Sequence, residues 1–463
     1  MNQTRDIIEL IGGYVAGGNT ADTLHHRLAE YAKSLEPVAP DQRGTCPATD
    51  VFAGADESAP KQFRNGTHRL IPPEETLARL RQLMPAMGIT RIANITGLDV
   101  IGIPVVMVCR PNSRSLAVSQ GKGLNLAAAE ASGLMESVEA YHAERIALPL
   151  TLGSYDELRS SHRMIDVRGL PRVTDSLYRP AMPLLWIEGY DLVQRQPTWL
   201  PYEVVHTNYV LPPPTGSGCF PETSNGLASG NHRLEAISHA ICEVVERDAW
   251  TLWSLLPEPA QDRTRLDLDT VDDVSCLEVL DKYKQATIAV AVWEMTTEVG
   301  IPAFCCLITA RSADPLHPLP TALGMGCHPT RGIALLRALT EAAQSRLTVI
   351  AGSRDDVQRR FYEQSRSLDV LQRHRDLTGS RHHMRRFQDV PTWDAETFND
   401  DVAFELERLQ AAGIEQVVVV DLTKPEFGVP VVRVVIPGLE GDGPLHPNYQ
   451  YGARARALME GRS

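Results

Sequence analysis

One local pattern occurs three times along this 463-residue chain: a β-branched run, a turn, and Gly-(Ile/Val)-Pro leading into a second apolar run. The copies join residues 91–96 to 105–109 through Gly102-Ile103-Pro104, 287–293 to 303–309 through Gly300-Ile301-Pro302, and 416–422 to 431–436 through Gly428-Val429-Pro430. Proline cannot donate a ladder hydrogen bond and is tolerated at the first residue of a strand. Each copy therefore predicts a β-hairpin whose second strand begins just after its proline. Helical stretches over 124–146, 234–255, 331–350 and 395–411 separate the hairpins. Strand pairs alternating with long helices predict an α+β domain with internal duplication, residues 61–463. Ahead of it, helical patterns over 4–15 and 20–35 predict a helical N-terminal appendage, residues 1–36. An aperiodic Pro, Gly, Ala, Asp and Ser stretch reads as a linker, residues 37–60.

Three of the helices carry one polar stripe each. Ser132, Glu136 and Glu139 follow a four-then-three spacing, which aligns them on one helix face about 5–6 Å apart. Leu134, Val138 and Tyr141 lie opposite and can be buried. The second helix repeats the device with Glu235, His239, Glu243 and Glu246, followed by Arg247 and Asp248, and the third with Arg337, Glu341 and Gln344. A solvated face would be decorated with lysine and arginine, whereas 126–132 and 236–242 hold few other polar residues. Carboxylates massed this way repel: two charges about 4 Å apart cost about 4 kcal/mol at an effective dielectric of about 20. A cation between them removes that cost. Oxygen ligands without paired cysteines favour magnesium or calcium, and magnesium commonly shares its shell with substrate phosphates, so the stripes point to a nucleotide site. Glu139 and His142 form a lone ExxH pair, and a di-iron bundle needs two.

Small-residue segments precede these helices: Ser119-Gln120-Gly121-Lys122-Gly123, residues 224–231 ending in Asn231, and residues 324–329. They read as loops or turns, the first able to bring backbone amides to a phosphate and Asn231 able to cap a helix. Neither a GxxxxGK[ST] loop nor a GxGxxG before a helix is present, which removes the P-loop and Rossmann readings.

Composition narrows the functional classes. A formal net charge of -13 disfavours nucleic acid as a partner. No run of about 18 apolar residues is found, and the start of the chain lacks a basic-then-apolar order, so neither a membrane span nor a secretory signal is expected and the chain reads as cytoplasmic. The eight cysteines include no CxxC pair, which disfavours zinc and predicts reduced, mostly buried thiols.

Taken together, the SxGKG segment, Ser132-x3-Glu136-x2-Glu139, Asn231-x3-Glu235-x7-Glu243-x2-Glu246-Arg247-Asp248 and Arg337-Ala338-x2-Glu341-x2-Gln344 resemble the YcaO superfamily in order and spacing over residues 61–450. The resemblance implies a YcaO fold and ATP bound through several Mg2+ ions, with Glu136, Glu139, Glu235, Glu243 and Glu246 facing metal. It further implies that Arg247 and Arg337 face phosphates, and that Arg69, Thr76, Lys122, Ser132, Asn231 and Gln344 lie at the nucleotide. Glu243, Glu246 and Arg337 are the expected catalytic residues. In the family reaction a nucleophile adds to a peptide carbonyl, ATP phosphorylates the oxyanion, and phosphate leaves with the oxygen.

Two departures from the family matter. Ala140 stands where many relatives have arginine, leaving that contact absent or supplied by Arg145. The sequence closes Glu460-Gly461-Arg462-Ser463, without the proline-rich tail of azoline-forming members. With no fused peptide-clamp domain recognisable either, the expectation is thioamide formation on a peptide or protein substrate. An external sulfur donor, a TfuA-like partner and a homodimeric chain complete that expectation. The alternatives are an azoline-forming cyclodehydratase acting on Cys, Ser or Thr, and a non-catalytic ATP-binding subunit, against which the intact glutamate set argues.

Overall fold

The three hairpins form as the proline pattern predicts, and each gains a third strand. The structure, a computed structural model, describes residues 58–461 except 313–319, 355, 357–358, 360–361, 363–366, 380–384 and 446–447. The N-terminal appendage and most of the linker lie outside these residues. Lys61, at the expected domain start, is buried in an ion pair with Asp401 at 2.7 Å.

In chain order the main elements are α1 (Pro73–Met87), β1 (Arg91–Asn94), β2 (Val105–Cys109), β3 (Val118–Lys122), α2 (Leu126–Glu144), β4 (Leu150–Ser154), β5 (Pro183–Asp191), β6 (Gln196–Pro201), β7 (Leu227–Ser229) and α3 (Arg233–Ser254). They continue with α4 (Val274–Gln285), β8 (Ile288–Glu294), β9 (Ala303–Ala310), β10 (Ala322–Cys327), α5 (Arg331–Ala351), α6 (Leu368–Gly379), α7 (Phe398–Ala411), β11 (Val418–Asp421), β12 (Val431–Val435) and α8 (Ala453–Glu460). Two sheets run β1-β2-β3 and β8-β9-β10, and the third runs β4-β5-β11-β12-β7 with β6 on β5.

These sheets hold three copies of one unit, a hairpin plus a third antiparallel strand that feeds a long helix. In the third copy the strand and helix, β7 and α3, precede their hairpin β11–β12 in the chain. The residue after each hairpin proline fixes a common register: Val105 faces Lys122, Val431 faces Ser229 and Ala303 faces Cys327. Each helix starts four residues after that partner, at Leu126, Arg233 and Arg331. The turn ahead of each proline uses a glycine at positive φ, Gly102 at 73°, Gly300 at 75° and Gly428 at 61°, a conformation that side chains resist.

The three segments expected as loops are thus strands, and their small residues have a packing reason. A Cβ on Gly121 would lie 2.1 Å from the Ala129 carbonyl oxygen, and one on Gly326 would lie 2.1 Å from that of Ala334. Helix backbone rests directly on strand backbone at these points. Behind that contact, Leu134 and Val138 of α2 and Val106 and Val108 of β2 are at most 1% exposed. Burying such a side chain contributes about 1.5–3 kcal/mol.

The contact is testable by substitution. Gly326→Val is expected to lower the free energy of unfolding in urea by about 3 kcal/mol, because overpacking forces the helix off its strand. Gly97→Ala, at a glycine with open space around it, is expected to stay within about 0.5 kcal/mol of wild type. Equal stability of the two variants would contradict the packing account.

Candidate active site

The common register aligns the three stripes residue for residue. Counted from the helix starts, Ser132, His239 and Arg337 share one position. Glu136, Glu243 and Glu341 share the position four residues on, and Glu139, Glu246 and Gln344 the position three beyond that.

Side chains of the stripes and their strands tie each copy to the others. Glu139 on α2 accepts from the backbone N–H of Ser229 at 2.8 Å and from its Oγ at 2.7 Å, on β7. Lys122 on β3 pairs with Glu341 on α5 at 2.7 Å. Arg337 on α5 donates to His239 Nε2 on α3 at 2.7 Å. The stripes therefore face one cleft.

A rim segment closes over the start of α3. Glu235 is 2% exposed, and its oxygens accept from Leu70 N at 3.0 Å and Arg69 Nη1 at 3.3 Å. Glu235, expected to face metal, also holds the Arg69 segment, and each of its oxygens keeps a lone pair for a cation. Asn231 does not cap α3; that role falls to His232, whose Nδ1 accepts from Leu234 N at 3.2 Å. Asn231 Oδ1 accepts from Thr76 Oγ1 at 3.2 Å and Arg79 Nη1 at 3.5 Å, which fixes α1 to the same rim.

The electrostatics follow from burial and crowding. Burial pushes the Glu139 carboxyl up to about 8, with the Glu136 and Glu243 charges adding to it and the Ser229 hydroxyl opposing. Burial likewise pushes Glu243 up to about 7 against the pull of Arg247. Glu246 is raised by burial and by the Glu341 charge, whereas Glu341 itself is lowered because Lys122, Arg247 and the Met325 N–H outweigh its own burial. Glu136 is raised by the same desolvation, but it is the most open to the cleft, so water there screens it and Glu139 and Glu243 carry the argument. His239 is half-buried, and desolvation together with the Arg337 charge holds it well below the usual imidazole range, so it is neutral and accepts the arginine hydrogen bond.

Among the described residues no three His, Cys, Asp or Glu side chains converge as a complete metal cage. The donors are carboxylate oxygens delivered from different copies of the unit and raised in pKa by their surroundings. Such a set suits Mg2+, which keeps waters and substrate phosphates in its shell. Arg247 pairs through Nε with Asp442 Oδ1 at 3.5 Å and through Nη2 with Glu246 Oε1 at 3.8 Å, which sets its guanidinium beside the stripe. The residues thus fit a magnesium nucleotide.

Arg145 does not replace the missing arginine at position 140. It pairs with Glu144 at 2.9 Å and lies over the Tyr141 ring at 4.6 Å. His142 is fully buried, and its Nδ1 bonds the Val138 carbonyl at 2.7 Å, so it is structural. Glu341, read in the sequence as part of the third stripe, belongs to the site through Lys122, and Asp442, which the sequence reading did not single out, through Arg247. Glu341 is the α5 equivalent of Glu136 and Glu243, whereas Asp442 sits in an aperiodic segment with no sequence signal. Among the described residues every cysteine but Cys109 is buried and none is paired, as the spacing predicts. None of the described helices is long and apolar enough to cross a membrane.

Comparison with known proteins gives the same picture. Residues 120–440 match the YcaO cyclodehydratase family, described as ATP- and Mg2+-binding. The chain is 38% identical over 398 residues, 85% of its own length and 93% of the relative's, to a protein in the tfuA 3' region of Rhizobium leguminosarum bv. trifolii. It is 34% identical to a Methanothermobacter thermautotrophicus protein, over 80% of this chain and 94% of that one. Among solved structures, a heterocyclase in complex with substrate and cofactor superposes with a TM-score of 0.69 at 24% identity. That match covers 83% of this chain and 54% of the heterocyclase, so the chain spans about half of its length. A YcaO protein from Methanopyrus kandleri bound with AMPPCP and Mg2+ superposes with a TM-score of 0.65 at 24% identity, over 82% of this chain and 95% of that one.

Raised carboxyl pKa values make a stability prediction. A folded-state pKa above the unfolded one means that the fold binds more protons, so stability is lost as pH rises through the folded value. Buried neutral histidines act oppositely but only below about pH 6.5, their ordinary value. The melting temperature of the nucleotide-free protein is therefore expected to fall from about pH 6.5 to about pH 8.5. In the double variant Glu139→Gln, Glu243→Gln that slope is expected to be shallower. An unchanged slope would contradict the assignment.

Proposed function

This chain belongs to the YcaO family of ATP-dependent, peptide backbone-modifying enzymes, and on that premise we propose that it forms a thioamide in a peptide or protein with sulfur from an external donor. The observation that carries the reading is the joining of three acidic and basic stripes around one cleft, in a chain 38% identical to a protein from a tfuA region. The same relationship supports a TfuA-like protein as its partner. Overall, hydrosulfide and the amide oxygen exchange places: the carbonyl carbon gains sulfur, the oxygen leaves in inorganic phosphate, and ATP becomes ADP.

When bound, the magnesium nucleotide supplies the phosphoryl group that makes the amide oxygen a leaving group. Glu136, Glu139, Glu235, Glu243 and Glu246 would hold the metal, and Lys122, Arg247 and Arg337 would meet phosphate oxygens, with Ser132 and Gln344 lining the same stripes. Fixed cations aimed at developing phosphoryl charge are the large contribution expected for this chemistry. Neutral His239 directs the Arg337 guanidinium, while Glu235 and Asn231 hold Arg69, Thr76 and Arg79 at the rim. No side chain is required as a covalent nucleophile.

A cyclodehydratase reading uses the same site with a substrate Cys, Ser or Thr as nucleophile. Mass spectrometry of a candidate peptide incubated with enzyme, TfuA-like partner, ATP and sulfide separates the two, because thioamidation gains mass and cyclisation loses water. The thioamide reading predicts a sulfide-dependent gain. A loss of water would support the cyclodehydratase, and an unchanged peptide without ATP turnover would support a binding subunit.

The metal assignment has its own test. Glu243→Gln and Glu246→Gln are each expected to lower ATP turnover by at least about 100-fold while the protein stays folded by circular dichroism. Full turnover in both variants would overturn the assignment.

A further inference from the structure

Next to the cleft lies a cavity that the magnesium nucleotide site does not use. It is walled by Leu170, Val244, Val434, Ile436 and Leu439, and it also touches Asn225, Arg433 and Asp442. Two links join it to the stripes: Val244 follows Glu243 on α3, and Asp442 faces Arg247 at 3.5 Å.

Three polar atoms of the lining lack hydrogen-bond partners: Asp442 Oδ1, which faces Arg247 at 3.5 Å, and one atom each on Arg433 and Asn225. Arg433, on β12, is 3% exposed. Its Nε donates to the Val204 carbonyl at 3.1 Å and its Nη2 to that of Thr223 at 2.8 Å, while Nη1 is buried without a hydrogen bond. Asn225 Oδ1 is likewise buried without one. Leaving such groups unmet costs about 1–3 kcal/mol each, more for a charged group, and native folds retain few of them.

The pair defines the ligand. One free guanidinium donor and one free amide oxygen, in a mostly apolar lining that also carries Glu222, Glu440 and Asp442, complement a neutral amide: a carbonyl oxygen, an N–H and apolar flanking side chains. A phosphate or carboxylate would satisfy Arg433 but face Asn225 Oδ1 and the Asp442 carboxylate. Of the lining carboxylates, Glu440 is held by Tyr449, Gly452 and Ala455, and Asp442 faces Arg247 at 3.5 Å, so they are engaged with the protein itself.

We propose that this cavity seats the peptide bond to be modified, with Arg433 Nη1 donating to its carbonyl oxygen and Asn225 Oδ1 accepting from its N–H. The assignment rests on the reading of the cleft as a peptide-activating site and adds the substrate's place in it. A guanidinium on the carbonyl oxygen also stabilises the negative charge that builds there when a nucleophile adds to the carbon. The aliphatic walls select uncharged, apolar neighbours on either side of the modified residue.

The test uses the full chain with the capped tripeptide acetyl-Leu-Gly-Leu-amide, and with its ester analogue in which oxygen replaces the Gly–Leu N–H. Binding is read by saturation-transfer NMR, and Mg2+-ADP affinity is measured by calorimetry in the same samples. The amide is expected to bind at least fivefold more tightly than the ester, and Asn225→Leu is expected to erase that preference. Val435→Trp, which fills the cavity, is expected to abolish the peptide signal with Mg2+-ADP affinity within twofold of wild type. If Val435→Trp does not fold, the amide–ester comparison in the wild type and Asn225→Leu decides. Equal binding of amide and ester, or no peptide signal in the wild type, would overturn the inference. Loss of Mg2+-ADP binding with the amide preference intact would count against the nucleotide reading and leave the peptide cavity standing.

Discussion

Direct contact between helix backbone and a strand almost without side chains sets the geometry of this protein. Because Gly121 and Gly326 leave no room for a Cβ beneath α2 and α5, each helix has one allowed height and rotation on its strand. The hairpin proline fixes the strand's register, and the helix begins a constant four residues later. A polar stripe on such a helix therefore points to a set place, and three copies of the arrangement bring three stripes to one cleft.

That convergence is electrostatically costly, and the cost is visible in the protonation of the site. Glu139 and Glu243 are raised to about 8 and about 7, chiefly by burial, and Glu246 moves the same way. Lys122, Arg247 and Arg337 offset only part of the crowding. Protonation relieves the crowding near neutral pH and a divalent cation would relieve it in the same place, so the feature expected to destabilise the cleft at alkaline pH is the one that suits it to metal. Its neighbour, the Arg433 cavity, has the opposite character: apolar, cationic at one point and suited to a neutral amide.

How much of this was legible in the sequence depends on whether a feature is set by local spacing or by packing between distant segments. Four-then-three spacings are properties of a single helix, so Glu136, Glu139, Glu243, Glu246 and Arg337 stood out, and the long helices lie within a few residues of their predicted limits. Val118–Lys122, Leu227–Ser229 and Ala322–Cys327 were read as loops because glycine, alanine and serine have low strand propensity. They are strands because the helix above admits nothing larger. The third copy was partly hidden by its order, since β7 and α3 come long before the hairpin they join. Glu235 shares a helix face with the stripe, and its contacts with Arg69 and Leu70, far away in sequence, are set by packing that no helix spacing announces. Asp442 and Arg433 gain their significance only from what the fold sets beside them.

Carboxyls raised in pKa on two of the three repeats, α2 and α3, give way to a magnesium nucleotide in this reading. Calorimetric titration of Mg2+ and a non-hydrolysable ATP analogue into the full chain near pH 7, in buffers of different ionisation enthalpy, tests it most directly. The predicted result is one nucleotide per chain, bound only with Mg2+, and heats that report net proton release to the buffer. Binding that needs no Mg2+, or that releases no protons, would contradict it.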